Sequence, residues 1–70
     1  MKISASNQLK GKVVEIKEGA VNCIVIIDIG NGIKVTSSIT MDSVKRLGLK
    51  VGADAYAVIK ATSVMVAVDG

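Results

Sequence analysis

The chain is poor in the residues on which many catalytic and metal sites depend. Its 70 residues contain no histidine, proline, tryptophan or phenylalanine, one cysteine and one tyrosine. No internal disulfide can form, and one thiol without histidine cannot complete a zinc or haem ligand set. The chain also lacks histidine, the side chain that most often serves as a general acid or base. We therefore expect a protein that is not an enzyme, with no organic cofactor and no bare metal cation.

The remaining reactive side chains also argue against an enzyme or a metal site. Cys23 lies in the middle of an apolar stretch with no base beside it, so we interpret it as a buried structural thiol. Glu15 and Glu18 fall across a strand end and a turn, and the aspartates are scattered singly. The sequence therefore offers no cluster of carboxylates that could bind a cation.

Length and hydropathy together predict association between chains. Seventy residues allow one domain, spanning 1–70, and a domain this small often needs an additional source of stability. Half the residues are hydrophobic and the mean hydropathy is +0.53, although there is little interior to fill. The apolar residues are mainly valine, isoleucine and alanine, so the surplus is spread along strands. We interpret it as subunit interface in a homo-oligomer.

Neither a membrane nor nucleic acid is an expected partner. The polar start, residues 1–7, has no secretory h-region, and no apolar run reaches membrane-spanning length. With the single unpaired Cys23, this predicts a cytoplasmic protein. The net charge of +3 suits a small anion better than duplex DNA. Single-strand binders stack bases on aromatic side chains, and this chain offers Tyr56 alone.

Alternating and β-branched stretches predict an all-β fold. Gly30-Asn31-Gly32 has the composition of a hairpin turn. The order of strand, strand, strand, short helix, strand, strand matches an OB-like five-stranded Greek-key barrel. The predicted strands are an N-terminal one ending with 12–17, then 21–29, 33–39, 53–61 and 64–68.

The only convincing helix follows the third strand and is about two turns long. Thr40 is the predicted N-cap, and Asp42 complements the N-terminal end of the helix dipole. Lys45 and Arg46 complement the other end. Gly48 is the predicted left-handed stop.

Hydroxyl groups and a lysine gather near strand ends and turns. Hydroxyls, backbone N–H groups and an ammonium together can hold a tetrahedral oxyanion, and a helix start adds unpaired N–H groups. Taken alone, each of these residues is better explained as an ordinary strand or cap residue. The set comprises Ser4, Ser6, 36–38, Thr40, Ser43 and 60–63.

Three segments of the chain resemble the molbindins, the stand-alone form of the Mop or TOBE domain. Residues 3–13, ISASNQLKGKV, are similar to the opening motif Ser-Ala-Arg-Asn-x-Leu-x-Gly of that family. Residues 38–49 and 57–64 are similar to its later segments. The three motifs at these separations are specific, and the resemblance covers nearly the whole chain.

The resemblance implies an OB-like barrel whose N-terminal strand is exchanged between protomers, in a hexamer built as a trimer of dimers. It implies molybdate or tungstate bound at subunit interfaces, for intracellular storage and homeostasis. Carried over by motif, Ser4 of one subunit meets the anion. The contacts from its partner are then Thr40, Ser43, Lys60 and the Ala61 backbone N–H.

One position departs from the family pattern. Ser6 stands where the motif usually has arginine, which removes a positive charge and up to five donors from near the dianion. Weaker binding, rescue by Lys2, and reliance on other sites are all open outcomes.

Two other functions remain as alternatives at this point. The first is a ligand-sensing TOBE module of a molybdate-responsive regulator or transport ATPase. The second is an OB-type nucleic-acid-binding protein, which the lack of aromatic residues disfavours. A purely structural oligomer with a decayed anion site is a further reading, and Ser6 is its only positive sign.

Overall fold

The structure, a computed structural model that describes all 70 residues, is built on one antiparallel sheet. Its four strands are ordered β3-β2-β1-β4, and the sheet curls into an open half-barrel. A seven-residue helix follows β3, and a short 3-10 turn follows β4. The elements are β1 (Asn7–Glu18), β2 (Asn22–Gly30), β3 (Ile33–Thr40), α1 (Met41–Leu47), β4 (Asp54–Ile59) and the 3-10 turn Ala61–Ser63.

Strand β1 is the central element and bends the sheet. It pairs with β2 along one side and with β4 along the other, so Lys12 lies opposite both Asp28 and Asp54. The β1–β2 register shifts between Val13 and Glu15, which marks a bulge. At Gly11 a Cβ atom would collide with the backbone carbonyl of Asp28, so only glycine permits this close approach.

The core lies on the concave face of the sheet and is small. Cys23, Val25 and Ile27 alternate along β2 and are buried, as their spacing predicts. Cys23 is fully buried, with its Sγ 3.6 Å from Sδ of Met41, which confirms its structural role. Only six of the 70 residues are buried in all: Val13, Cys23, Val25, Ile27, Val44 and Ala57.

The predicted helix and hairpin turn are confirmed. Thr40 caps α1 by accepting a hydrogen bond from the Ser43 backbone N–H at 3.1 Å. Gly48 ends the helix with φ +65°, in the left-handed region. In the β2–β3 turn Asn31 has φ +54°, between two glycines that also have positive φ.

The predicted fifth strand is wrong for the single chain. Strand β4 was expected over 53–61 but ends at Ile59, where the chain enters the 3-10 turn. The segment 64–68 then pairs with no strand, and Met65 and Val66 are about nine-tenths exposed. A strand needs a partner for its backbone hydrogen bonds, and here the segment leaves the sheet without meeting one. The half-barrel consequently stays open between β3 and β4.

No helix in the structure is long and apolar enough to span a membrane.

Candidate functional site

Two of the predicted site residues meet at the start of α1. The Thr40 hydroxyl lies 2.9 Å from the Ser43 hydroxyl, and it also accepts from the Ser43 backbone N–H at 3.1 Å. We call Thr40 and Ser43 the cap cluster. Its hydroxyls are held in place by the helix itself, so they are oriented before any ligand arrives. The Ser43 N–H is already used by the cap, so this one amide is not free for an anion.

Arg46, which the sequence links only to the helix dipole, lies on the same side of α1 as the cap cluster. Thr40, Ser43 and Arg46 follow one another at intervals of three residues, which places them along one face of a helix. Arg46 is exposed and forms no ion pair with a carboxylate. The three-residue interval was the signal that could have identified it as a source of positive charge beside the cap cluster.

Other predicted residues gather where β1 begins and β4 ends. Asn7 lies opposite Ile59 in the β1–β4 pair, and its side-chain amide donates to the Ile59 carbonyl at 3.3 Å. Ser6 and Lys60 are the next residues outward on the two strands. Ser4 and Ala61 continue from them, Ser4 beyond the paired part of β1 and Ala61 in the 3-10 turn. We call Ser4, Ser6, Lys60 and Ala61 the strand-end cluster.

The strand-end cluster carries uncompensated positive charge. The two ion pairs of the structure join Lys12 to Asp54 and Lys17 to Glu15, so the Lys60 ammonium has no carboxylate partner. Residues 1–10 and 58–66 contain no acidic residue. The turn itself is fixed, because the Ser63 backbone N–H donates to the Lys60 carbonyl at 2.8 Å. An anion approaching this end meets cations and hydroxyls and no carboxylate from these two ranges.

The two clusters lie at opposite ends of the sheet. Thr40 is opposite Asn22 at the start of β2, beside the end of β1. The strand-end cluster flanks the start of β1, roughly 36 Å away when measured along that strand at ~3.3 Å per residue. One chain thus does not bring Thr40 and Lys60 to the same small ion. This division differs from the expected grouping, in which both came from one subunit to one anion.

Acidic groups mark a further difference between the two ends. Asp42 lies in the first turn of α1, directly next to the cap cluster. Midway along the sheet, a hydrogen bond from the Lys12 ammonium at 2.7 Å, with its charge, lowers the pKa of Asp54 below its usual value. The negative charge of Asp54 is balanced by the Lys12 ammonium, and Asp54 does not belong to either cluster.

This architecture agrees with known proteins over the length of the chain. The TOBE domain profile matches residues 3–66. The probable molybdenum-pterin-binding protein of Haemophilus influenzae is 62% identical over 69 residues, which is 99% of this chain and 100% of the relative. MopII from Clostridium pasteurianum, solved in an apo form, superimposes with a TM-score of 0.90 at 52% identity, covering 96% of this chain and 100% of MopII.

A third comparison concerns a solved structure with its ligand. The cytoplasmic molybdate-binding protein ModG, in a form with molybdate bound, superimposes with a TM-score of 0.88 at 46% identity. The match covers 93% of this chain and 46% of ModG.

The curled sheet, the capped helix after β3 and the profile match define a TOBE domain. Within that class, full-length similarity shows that the chain belongs to the molybdenum-pterin-binding (Mop) protein family.

Proposed function

We propose that this chain binds molybdate, or the similar tungstate, in the cytoplasm and serves as an intracellular store for it. The observation that carries the proposal is the likeness to ModG, whose structure contains molybdate. The chemistry of the two clusters supports it, because hydroxyls, an ammonium and a guanidinium suit a tetrahedral dianion. The function is binding without chemical conversion, in line with the relatives, which are described as binding proteins.

The binding site is formed between subunits. A cap cluster from one chain and a strand-end cluster from another surround each ion, because within one chain these clusters lie at opposite ends of the sheet. The assembly is a homo-oligomer, a hexamer arranged as a trimer of dimers, in which each half-barrel is completed to an OB-like five-stranded barrel. The small buried core of the single chain supports such an assembly.

Selectivity follows from the donors and the charge. The strand-end cluster presents hydroxyls and the Lys60 ammonium to the ion, and the cap cluster presents hydroxyls with the Arg46 guanidinium beside them. A pocket of donors disfavours hydrogen phosphate, whose proton requires an acceptor, and a fixed cavity separates molybdate from the smaller sulfate.

Calorimetric titration of the purified protein with molybdate, tungstate and sulfate tests the function, with the mass in solution measured alongside. We expect saturable binding of molybdate and tungstate by an oligomer, with sulfate failing to compete at equal concentration. A protein that binds none of the three ions, or that prefers sulfate, contradicts the proposal.

Mixing two defective chains tests the shared site. Chains with Thr40→Ala and chains with Lys60→Ala each carry one damaged cluster. After co-refolding at equal amounts, about one quarter of the sites combine two intact clusters if each site draws on two chains. Recovery of about that fraction of strong sites is expected. A mixture without any recovered strong sites contradicts the inter-subunit arrangement. Each variant refolded alone is the control.

A further inference from the structure

The turn between β2 and β3 contains the one Asn-Gly pair of the chain. Asn31 is the only residue other than glycine with a positive φ, +54°, and its neighbours Gly30 and Gly32 have φ of +103° and +74°. All three residues are exposed. A Cβ atom added at either glycine would meet no other atom within 4 Å, so open space surrounds the turn. Nothing packed against the turn therefore opposes rotation of its backbone.

Two neighbouring groups in this turn have no hydrogen-bond partner. They are the side-chain carboxamide of Asn31 and the backbone N–H of Gly32. The nearest fixed amide is that of Gly30, which donates to the Asp28 carboxylate at 2.8 Å. Glycine has no Cβ, so no side chain of its own shields the Gly32 nitrogen. This nitrogen is thus an accessible nucleophile, one residue after an unprotected carboxamide.

We propose that Asn31 is a site of spontaneous deamidation. The Gly32 backbone nitrogen loses its proton to solvent and attacks Cγ of Asn31. A new N–Cγ bond closes a five-membered succinimide, while the Cγ–Nδ2 bond breaks and the side-chain nitrogen, taking up a proton, leaves as ammonia. Water then opens the ring. Attack of water at Cγ breaks the new bond and gives an aspartyl residue at position 31.

The ring has a second carbonyl, and attack of water there gives a different product. It breaks the original peptide bond between Asn31 and Gly32, so the chain continues through the former side chain as an isoaspartyl residue. Water is the only co-reactant, and nothing is oxidised or reduced. No residue of the cap cluster or the strand-end cluster takes part, so the inference does not depend on the proposed function.

The other two asparagines are held in the sheet. Asn7 lies in β1, where its side-chain amide donates to the Ile59 carbonyl at 3.3 Å. Asn22 begins β2 and precedes Cys23, which is fully buried and pairs with strands on both sides. In both cases the nitrogen that would attack belongs to a strand residue that carries a side chain. Local unfolding must therefore precede the reaction at these two positions.

Deamidation changes the charge and the backbone of the hairpin. A carboxylate replaces a neutral amide, so the net charge of +3 falls by one unit. The isoaspartyl product also lengthens the backbone of the turn by one methylene group. The type and length of a turn set the register of its hairpin, and β3 pairs with β2 alone within the chain. The isoaspartyl form should therefore hold β3 more loosely, including Thr40 at its end.

Incubation of the purified protein at neutral and at mildly alkaline pH, followed by peptide mapping with mass spectrometry, tests the site. Conversion at Asn31 should be at least about tenfold faster than at Asn7 or Asn22, since those residues must first leave their strands. It should also be faster at alkaline pH, because the Gly32 nitrogen must lose a proton. An isoaspartyl methyltransferase with labelled S-adenosylmethionine measures the isoaspartyl product. No conversion at Asn31, or equal conversion at all three asparagines, overturns the proposal.

Two variants at the same position separate the chemistry from its consequences. Asn31→Gly suits the positive φ and removes the carboxamide, so it should fold, as circular dichroism verifies, and form no acidic product. An acidic product that persists in this variant overturns the assignment to Asn31. Asn31→Asp reproduces the new charge on a normal backbone. The isoaspartyl fraction of aged protein should unfold at a lower denaturant concentration than Asn31→Asp, and equal stability contradicts the loosening of β3.

Discussion

The two polar clusters differ in how well they are prepared for a ligand. At the cap cluster, Thr40 and Ser43 hold each other through two hydrogen bonds, and the helix fixes both. At the strand-end cluster, only the backbone of the turn is fixed. The Lys60 side chain is exposed and makes no hydrogen bond or ion pair. The cap cluster is hydrogen-bonded and carries no charge of its own, whereas the strand-end cluster carries the exposed, unpaired ammonium of Lys60.

In the proposed site, this difference would give the two ends different tasks. Preoriented hydroxyls lose little entropy on binding and set the geometry of the pocket, so they govern which ion fits. A free ammonium supplies attraction at longer range and a strong charge-assisted hydrogen bond, at the cost of ordering a long side chain. Substitutions at the strand-end cluster should therefore change affinity most, and substitutions at the cap cluster should change selectivity and stability.

The largest effect is expected from Lys60→Ala. Loss of one charge-assisted hydrogen bond, about 1.5–3 kcal/mol, lowers molybdate affinity by roughly ten- to a hundredfold. The assembly should persist, because Lys60 is exposed and unpaired. Calorimetry measures the affinity and light scattering the mass. Lys50→Ala, in an exposed loop, removes the same charge elsewhere and serves as the control. Unchanged affinity in Lys60→Ala would remove this residue from the site.

Ser6→Arg adds a positive charge to the strand-end cluster, which already carries more positive charge than the cap cluster. The guanidinium restores the residue usual in the family motif and offers bidentate donors to the dianion. We expect molybdate affinity to rise by about tenfold, corresponding to ~1.4 kcal/mol. The gain in affinity should be smaller at high salt, because salt screens exposed charges. Val51→Arg adds the same charge in a distant loop. If both variants raise affinity equally, the gain reflects net charge alone and Ser6 does not face the ion.

Thr40→Ala disrupts the cap cluster, whose two hydroxyls are oriented by hydrogen bonds. It removes a neutral hydroxyl and also the helix cap, so the free energy of unfolding should fall by about 1 kcal/mol. Molybdate affinity should fall by roughly two- to tenfold, and discrimination against sulfate should fall with it. Denaturant unfolding and competition calorimetry measure these changes. Thr40→Ser keeps the hydroxyl and should restore both properties; a Thr40→Ser variant as defective as Thr40→Ala would argue against a role for the hydroxyl.

Local features of the chain were predictable, whereas contacts distant in sequence were not. The cap at Thr40, the stop at Gly48 and the turn around Asn31 each depend on a few neighbouring residues, and all three are confirmed. The tail 64–68 has the composition of a strand, but composition does not say whether a partner exists in the same chain. The separation of Thr40 from Lys60 likewise follows from strand register, which no single motif encodes.

The smallest effect is expected from Asp42→Asn. Its carboxylate is the one negative charge in α1, next to the cap cluster, and it opposes an incoming dianion. At ~8 Å in water, one unit charge repels another by about 0.5 kcal/mol and a dianion by about 1 kcal/mol, so molybdate affinity should rise about two- to fivefold. The helix loses a favourable dipole partner, at a cost of about 0.3–1 kcal/mol in stability. Both changes should shrink as salt is raised, because the interacting groups are exposed. Titration at two ionic strengths checks this, with Asp69→Asn as the control at the free end of the chain. An equal gain from Asp69→Asn would show that affinity depends only on the net charge of the protein. The difference in charge between the cap cluster and the strand-end cluster would then rest on Lys60 alone.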